Sequence, residues 1–133
     1  MDWMENFLEV KEKEMLLLIE KLVNIDSGSS NKKGIDEVSG LLQKEYEKLG
    51  FVVETNYQEV QGNHLIIQHK NAKNPTIMLV AHMDTVFAKG TAKARPFTIR
   101  GDRAYGPGVI DMKSSQVVLL YALERLHKEE PTV

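Results

Sequence analysis

Two side chains that can bind metal follow an apolar segment near the middle of the chain. The segment reads "TIMLVAHMDTV" (residues 76–86), and His82 and Asp84 stand at its end with one residue between them. In a strand, side chains two positions apart lie on the same face, and open α/β sheets bind ligands at the carboxyl ends of their strands. A neutral imidazole is a good zinc ligand, and a nearby carboxylate can hold its second ring nitrogen. The same short pattern is also typical of a structural histidine followed by a turn-forming aspartate, so both interpretations stay open.

A third candidate, Asp111, lies in the glycine-rich stretch "YGPGVIDMKSS" (residues 105–115). It stands at the expected start of the last helix, where an aspartate can simply cap the helix or favour its dipole. A carboxylate can alternatively bridge two divalent ions, which together activate water and polarise a carbonyl group. We expect Lys113, two residues later, to face solvent.

The other histidines and the paired glutamates are weaker candidates. His64 and His69 differ by an odd number of positions in one expected strand, so they should face opposite sides and cannot share a site. We expect His127 to be a surface residue near a helix C-terminus, where its charge is tolerated. Glu129 and Glu130 are interpreted as solvated charges at the end of the same helix.

The elements that must position these residues follow from periodicity and turn residues. Apolar residues recur at helical spacing in three segments. The helices are expected at residues 4–24, 33–49 and 111–128. The strands are expected at residues 51–57, 63–70, 76–81, 97–100 and 103–105.

These elements predict an α/β fold with a layered mixed sheet and flanking helices. The first two strands should pair as a hairpin. The third strand, residues 76–81, is continuously apolar, which is typical of a strand covered on both faces. The middle of the last helix, "VVLLYAL", is apolar nearly all round and should be well buried.

Composition limits the remaining classes of function. The chain has 133 residues, 42% of them hydrophobic, which is enough for one domain with a real core. The net charge is −2 and the 17 basic residues are scattered, which argues against a nucleic-acid partner. Cysteine is absent, so disulfides and thiolate metal sites are excluded. No apolar run approaches the roughly 20 residues of a membrane span. No export signal is visible, so a cytoplasmic location is expected.

Together, "AHMDTV" and "GPGVIDMKSS" resemble the zinc-dependent exopeptidase and deacylase family. That family includes carboxypeptidase G-type glutamate carboxypeptidases, acetylornithine deacetylase and succinyl-diaminopimelate desuccinylase. The resemblance implies a phosphorylase/hydrolase-like catalytic domain with two zinc ions as cofactors. It also implies that His82 is a zinc ligand, that Asp84 is a catalytic residue orienting His82, and that Asp111 bridges both zincs. A cis peptide bond is implied between Asp111 and Met112.

The resemblance implies hydrolysis of an amide bond near a carboxylate-bearing residue, in a peptide or N-acyl amino acid. Family members also need a downstream Glu-Glu pair, further ligands and an inserted lid domain. Residues 1–133 are therefore expected to be the N-terminal portion of a single catalytic domain, without the lid or dimerisation domain. Such a fragment should be inactive, bind zinc weakly or not at all, and form a homodimer through an unpaired sheet edge.

Two other functions are considered. The first is a non-catalytic, degenerate relative that serves as a binding or regulatory module. The second is a nucleotide binder, suggested by "GPGVID". The nucleotide interpretation is disfavoured because Asp111 stands where a dinucleotide fingerprint has its third glycine, and its carboxylate would repel a pyrophosphate.

Overall fold

The computed structural model describes residues 2–71 and 77–129, without the side chains of residues 2–4 and 129. Helices and strands alternate along the chain, which confirms a mixture of α and β elements. The helices are α1 (Asp2–Val23), α2 (Lys32–Lys48), α3 (Thr91–Ala94) and α4 (Ser114–Glu129), with a π-helical turn at Val109–Lys113. The strands are β1 (Phe51–Asn56), β2 (His64–His69), β3 (Thr98–Arg100) and β4 (Arg103–Tyr105).

The hydrophobic core lies where the three long helices meet. Each helix contributes apolar side chains at helical spacing, and those facing inward are almost completely buried. The most deeply buried are Leu22, Val23, Val38, Leu42 and Val117. The two predicted N-terminal helices are thereby confirmed to within two residues at each end.

Helix α4 differs from its prediction in two ways. It begins at Ser114, because the preceding turn holds Asp111 and Met112 in non-helical backbone conformations. It is also buried on one face only: Val117 is inaccessible, whereas Val118 is 52% exposed. The expectation that the apolar middle of this helix is well buried holds for Val117, Leu120 and Tyr121 but not for Val118.

The predicted hairpin is confirmed. Strands β1 and β2 pair antiparallel, with Phe51 opposite His69 and Asn56 opposite His64. Burial alternates along both strands, so that His64 is exposed and His69 is half-buried on the other face, as predicted. The two short predicted strands also form a second hairpin, β3–β4, which pairs antiparallel across the turn at Gly101.

The apolar segment 77–81 does not form the predicted strand. It pairs with no other strand of the described chain, and Ile77, Met78 and Val80 are 75%, 85% and 81% exposed. A strand requires partners for its backbone N–H and C=O groups, and hydrophobicity alone does not supply them. The described strands form two separate two-stranded sheets. The layered mixed sheet and the homodimer through a sheet edge stay predictions.

His127 is not the surface residue that we expected. It is half-buried on α4, with its Nδ1 2.9 Å from Nε2 of His69. The backbone N–H of Asn71 donates to Nδ1 of His69, so Nε2 of His69 carries the proton donated to His127. This pair, with the Phe51 ring against both imidazoles, joins the first hairpin to α4. The expectation for the Glu129 and Glu130 side chains lies outside the described residues.

No helix within residues 2–71 and 77–129 combines the length and apolar character needed to cross a membrane.

Candidate metal centre

His82, Asp84 and Asp111 come together at one edge of the molecule. Nε2 of His82 lies 2.9 Å from Oδ1 of Asp111, and Nδ1 lies 3.2 Å from Oδ1 of Asp84. The same Nδ1 is 3.0 Å from the Asp84 backbone carbonyl oxygen. The imidazole therefore lies between two carboxylates that stand 27 positions apart in the sequence, which local sequence pattern alone could not establish.

The charges around the imidazole favour its protonated form. Burial lowers the pKa of His82, but the hydrogen bonds to the Asp111 carboxylate and the Asp84 carbonyl outweigh this effect. The charges of both aspartates add to the same trend, so the pKa lies above its ordinary value of 6.5. Because both ring nitrogens face acceptor oxygens, each can donate a proton in this arrangement.

The backbone of His82 is held by the start of α4. Nε2 of Gln116, a buried side chain, donates to the His82 carbonyl oxygen at 2.7 Å, and the His82 N–H donates to the sulfur of Met112 at 3.4 Å. Sequence reasoning missed Gln116. The sequence did contain a signal: Gln116 is a polar residue beside the apolar run of α4, and a buried amide side chain needs a hydrogen-bond partner.

The turn that carries Asp111 is shaped by close packing. Gly108 has φ +76°, and a Cβ there would lie 2.5 Å from Cγ2 of Thr85. The Asp111–Met112 peptide bond is cis, as the family resemblance implied. The carboxylate of Asp111 is 79% exposed and faces His82, three residues before α4 begins. Simple capping of the last helix by Asp111 is therefore not observed.

Lys113 is buried, which contradicts the expectation that it faces solvent. It is 2% exposed, and its ammonium donates to the carbonyl oxygens of Leu22 and Ile25, both at 2.7 Å. Leu22 lies in the last turn of α1 and Ile25 two residues beyond its end, where backbone carbonyls need partners from outside the helix. Burial lowers the pKa of Lys113 to about 8, although Asp26 opposes the shift. The turn carrying Asp111 is thereby attached to the end of α1.

The loop after α1 forms another wall of the centre. Its composition, "DSGSSNKKG", predicted only a loop. In the structure, the hydroxyl of Ser29 donates a hydrogen bond to Oδ2 of Asp84. Asp26 accepts hydrogen bonds from the backbone N–H groups of Ala92 and Gly90, which lower its pKa. Neither contact had a sequence signal, because each joins residues more than fifty positions apart.

The donor set fits part of a zinc site. Zinc accepts imidazole nitrogen and carboxylate oxygen at about 2.0–2.2 Å, so two tetrahedral ligands stand roughly 3.3 Å apart. Nε2 of His82 and Oδ1 of Asp111, now at 2.9 Å, need to separate by only a few tenths of an ångström. Within residues 2–71 and 77–129, however, no group of three or more His, Cys, Asp or Glu side chains is arranged around a common point.

A cavity of about 230 Å³ lies next to these ligands. Its lining includes all three candidate side chains together with Phe87 and Val109. The arrangement thus combines a nitrogen and a carboxylate that can bind a cation, a carboxylate that holds the imidazole, and space beside them for a small molecule.

Comparison with known proteins places these residues in a family. Residues 78–133 match the family described as peptidase family M20/M25/M40, so all three candidate residues lie in the matched segment. The chain is 37% identical over 110 residues to carboxypeptidase G2 of Pseudomonas sp. (strain RS-16), covering 81% of this chain and 26% of that protein. It is 33% identical over 121 residues to succinyl-diaminopimelate desuccinylase of Buchnera aphidicola subsp. Cinara cedri (strain Cc), covering 88% and 31%. The chain thus spans less than a third of the length of either relative.

Proposed function

Since this chain belongs to peptidase family M20/M25/M40, we propose that it supplies part of the metal centre of a zinc-dependent enzyme that hydrolyses amide bonds. The observation that carries the proposal is the convergence of His82 and Asp111 at 2.9 Å, from either side of a long loop. The imidazole and the 79% exposed carboxylate face each other beside a cavity, and both are ligand types that zinc accepts.

Each of the three side chains has a distinct role in this proposal. His82 would hold zinc through Nε2, and Asp111 would hold it through its carboxylate and could contribute to a second ion. Asp84 holds the Nδ1 proton, which keeps Nε2 directed toward the metal and makes the imidazole a better ligand. When bound, zinc polarises the amide carbonyl and lowers the pKa of the attacking water.

The proposed substrate is a peptide or an N-acyl amino acid in which the cleaved amide lies near a carboxylate. The names of the two relatives, a carboxypeptidase and a desuccinylase, support this class.

The 133-residue chain alone is proposed to lack this activity. In the described part of the chain, no acidic side chain besides Asp84 and Asp111 lines the cavity, and both of these already contact the imidazole. No residue there is free to act as the general base for the attacking water.

Metal binding can be tested by NMR, with cobalt(II) in place of zinc. Titrating the folded chain with Co²⁺ should broaden resonances around His82 and Asp111 first. His82→Ala should abolish this local broadening, whereas His64→Ala, at an exposed histidine of the hairpin, should leave it unchanged. Broadening that begins at the His69–His127 pair, or that persists in His82→Ala, would overturn the proposal.

Activity is tested separately, with zinc and either acyl-glutamate or dipeptide substrates. We expect no turnover above background. Turnover that His82→Ala abolishes would contradict the proposed inactivity of the chain, while supporting the metal centre.

A further inference from the structure

We propose that Ser29 is a positioning residue of the metal centre: its hydroxyl orients the Asp84 carboxylate, and through it the His82 imidazole. The link from Ser29 to His82 rests on geometry, and only its consequence for metal binding rests on the proposed function. Ser29 lies outside both motifs that carry the family resemblance, and it is not one of the candidate metal ligands.

The backbone around Ser29 is held against the segment that carries Asp84. The N–H of Thr85 donates to the carbonyl of Ser27 at 2.8 Å, and the N–H of Ser29 donates to the carbonyl of Thr85 at 3.0 Å. These two bonds form a parallel bridge between Gly28 and Thr85. A Cβ at Gly28 would collide with the carbonyl oxygen of Phe87, so the two segments approach as closely as glycine permits. The position of the Ser29 backbone, which brings its hydroxyl within reach of Asp84, is therefore set by contacts that do not involve the Asp84 side chain.

The hydroxyl has one proton and two acceptors within reach. One is Oδ2 of Asp84, and the other is the Thr85 carbonyl oxygen at 3.3 Å. An ionised carboxylate accepts a stronger and shorter hydrogen bond than a neutral carbonyl. The proton of Ser29 therefore goes to Asp84, and the carbonyl is a secondary contact.

This bond gives the Asp84 carboxylate two partners on its two oxygens. Oδ2 accepts from Ser29, and Oδ1 lies 3.2 Å from Nδ1 of His82. The Asp84 side chain is 37% exposed, so burial alone does not prevent the carboxylate from rotating about its broad terminal torsion. When the Ser29 hydroxyl is present, rotation of the Asp84 carboxylate would break the charge-assisted hydrogen bond between them.

Two oxygens of Asp84 face Nδ1 of His82: the backbone carbonyl, which accepts its hydrogen bond at 3.0 Å, and Oδ1 of the carboxylate at 3.2 Å, which adds a charged contact. The His82 side chain is itself 47% exposed, and Asp84 is the only residue seen to contact its Nδ1 in the described chain. Fixing Nδ1 fixes the direction of Nε2, which points at Asp111. Removing partners of this kind commonly weakens metal affinity 10–100-fold.

The experiment compares three variants of the metal-free chain by NMR with ¹⁵N-labelled histidine. Ser29→Ala removes the hydroxyl, Ser29→Thr keeps it, and Ser30→Ala is a matched control at the neighbouring exposed serine. We expect the Nδ1 proton of His82 to exchange with solvent several-fold faster in Ser29→Ala, because the carboxylate that faces it loses its hydrogen bond to the hydroxyl. The rate should stay at the wild-type value in Ser29→Thr and Ser30→Ala. A purely structural role for Ser29 would lower stability without this selective change at one ring nitrogen. Equal exchange rates in Ser29→Ala and wild type would overturn the proposal.

A second measurement covers the case in which Ser29→Ala does not fold. In the wild-type chain, the ¹³Cγ resonance of Asp84 should show a deuterium isotope shift from the Ser29 hydroxyl, and no such shift would overturn the proposal. Both measurements are made without metal, so a failure of Co²⁺ binding leaves them interpretable. If Co²⁺ does bind at His82, its binding midpoint in Ser29→Ala should rise about tenfold.

Discussion

Replacing Lys113 by methionine tests whether a buried ammonium holds the Asp111 turn against α1. Methionine has a similar length and no charge, so it fills the same space without donating a hydrogen bond. The Leu22 carbonyl keeps the N–H of Ile25 as a donor at 3.3 Å. The Ile25 carbonyl loses the ammonium, which donates to it at 2.7 Å.

The expected magnitude follows from two opposing effects. Hydrogen bonds from a charged group contribute about 1.5–3 kcal/mol each, so the two bonds of Lys113 stabilise the fold by roughly 3–6 kcal/mol. Burying the ammonium opposes this: a pKa lowered from 10.5 to about 8 corresponds to a cost of roughly 3 kcal/mol. The difference, about 0–3 kcal/mol, predicts that Lys113→Met loses roughly 1.5 kcal/mol of unfolding free energy. With an unfolding entropy of about 2.1 cal/mol/K per residue, this corresponds to a fall in Tm of about 5 °C for 133 residues.

Urea denaturation followed by circular dichroism measures this loss directly. Lys33→Met is the matched control, since Lys33 is an exposed lysine within α2, and its effect should stay within about 0.5 kcal/mol. A Lys113→Met chain as stable as Lys33→Met would show that the two 2.7 Å hydrogen bonds do not attach the turn to α1.

Two further predictions concern the loops around the centre. Gly108→Ala should destabilise the fold by more than about 1 kcal/mol, because alanine is strained at φ +76° and its Cβ would meet Thr85. By contrast, Gly40→Ala should stabilise the fold by about 0.5–1 kcal/mol, because Gly40 lies inside α2 with nothing within 4 Å of an added Cβ. Thermal melts of both variants measure the two changes in stability. Equal changes in the two variants would contradict the prediction. The pKa of Asp26 lies below its ordinary value of 3.8 because the backbone N–H groups of Ala92 and Gly90 donate to its carboxylate. The stability it contributes is therefore complete above pH 3.8 and is lost as the pH falls through the lower folded-state pKa. The unfolding free energies of wild type and Asp26→Asn should accordingly differ by a constant amount from pH 5 to 7 and converge below pH 4; a gap that widens on acidification would count against this cause.

Elements whose signals are local could be predicted from the sequence. The helices α1 and α2 follow from apolar residues at helical spacing. The strands of both hairpins were predicted from their residues and flanking turns, but pairing was predicted only for the first hairpin. The pair His82 and Asp84, and the separate Asp111, were identified from residue type and spacing. These features depend on neighbours within a few positions, which a sequence displays directly.

Which distant groups meet depends on tertiary packing. The apolar character of residues 76–81 predicted a strand, but residues 77–81 are exposed and unpaired in the described chain, because a strand also needs a pairing partner. Lys113 looked like a surface lysine, yet its ammonium lies between carbonyls about ninety positions earlier in the chain. In the sequence, Ser29 is only one serine of a polar loop, whereas in the structure its hydroxyl donates a hydrogen bond to Asp84. Hydrogen bonds between distant segments depend on how whole elements pack, and no local periodicity encodes that packing.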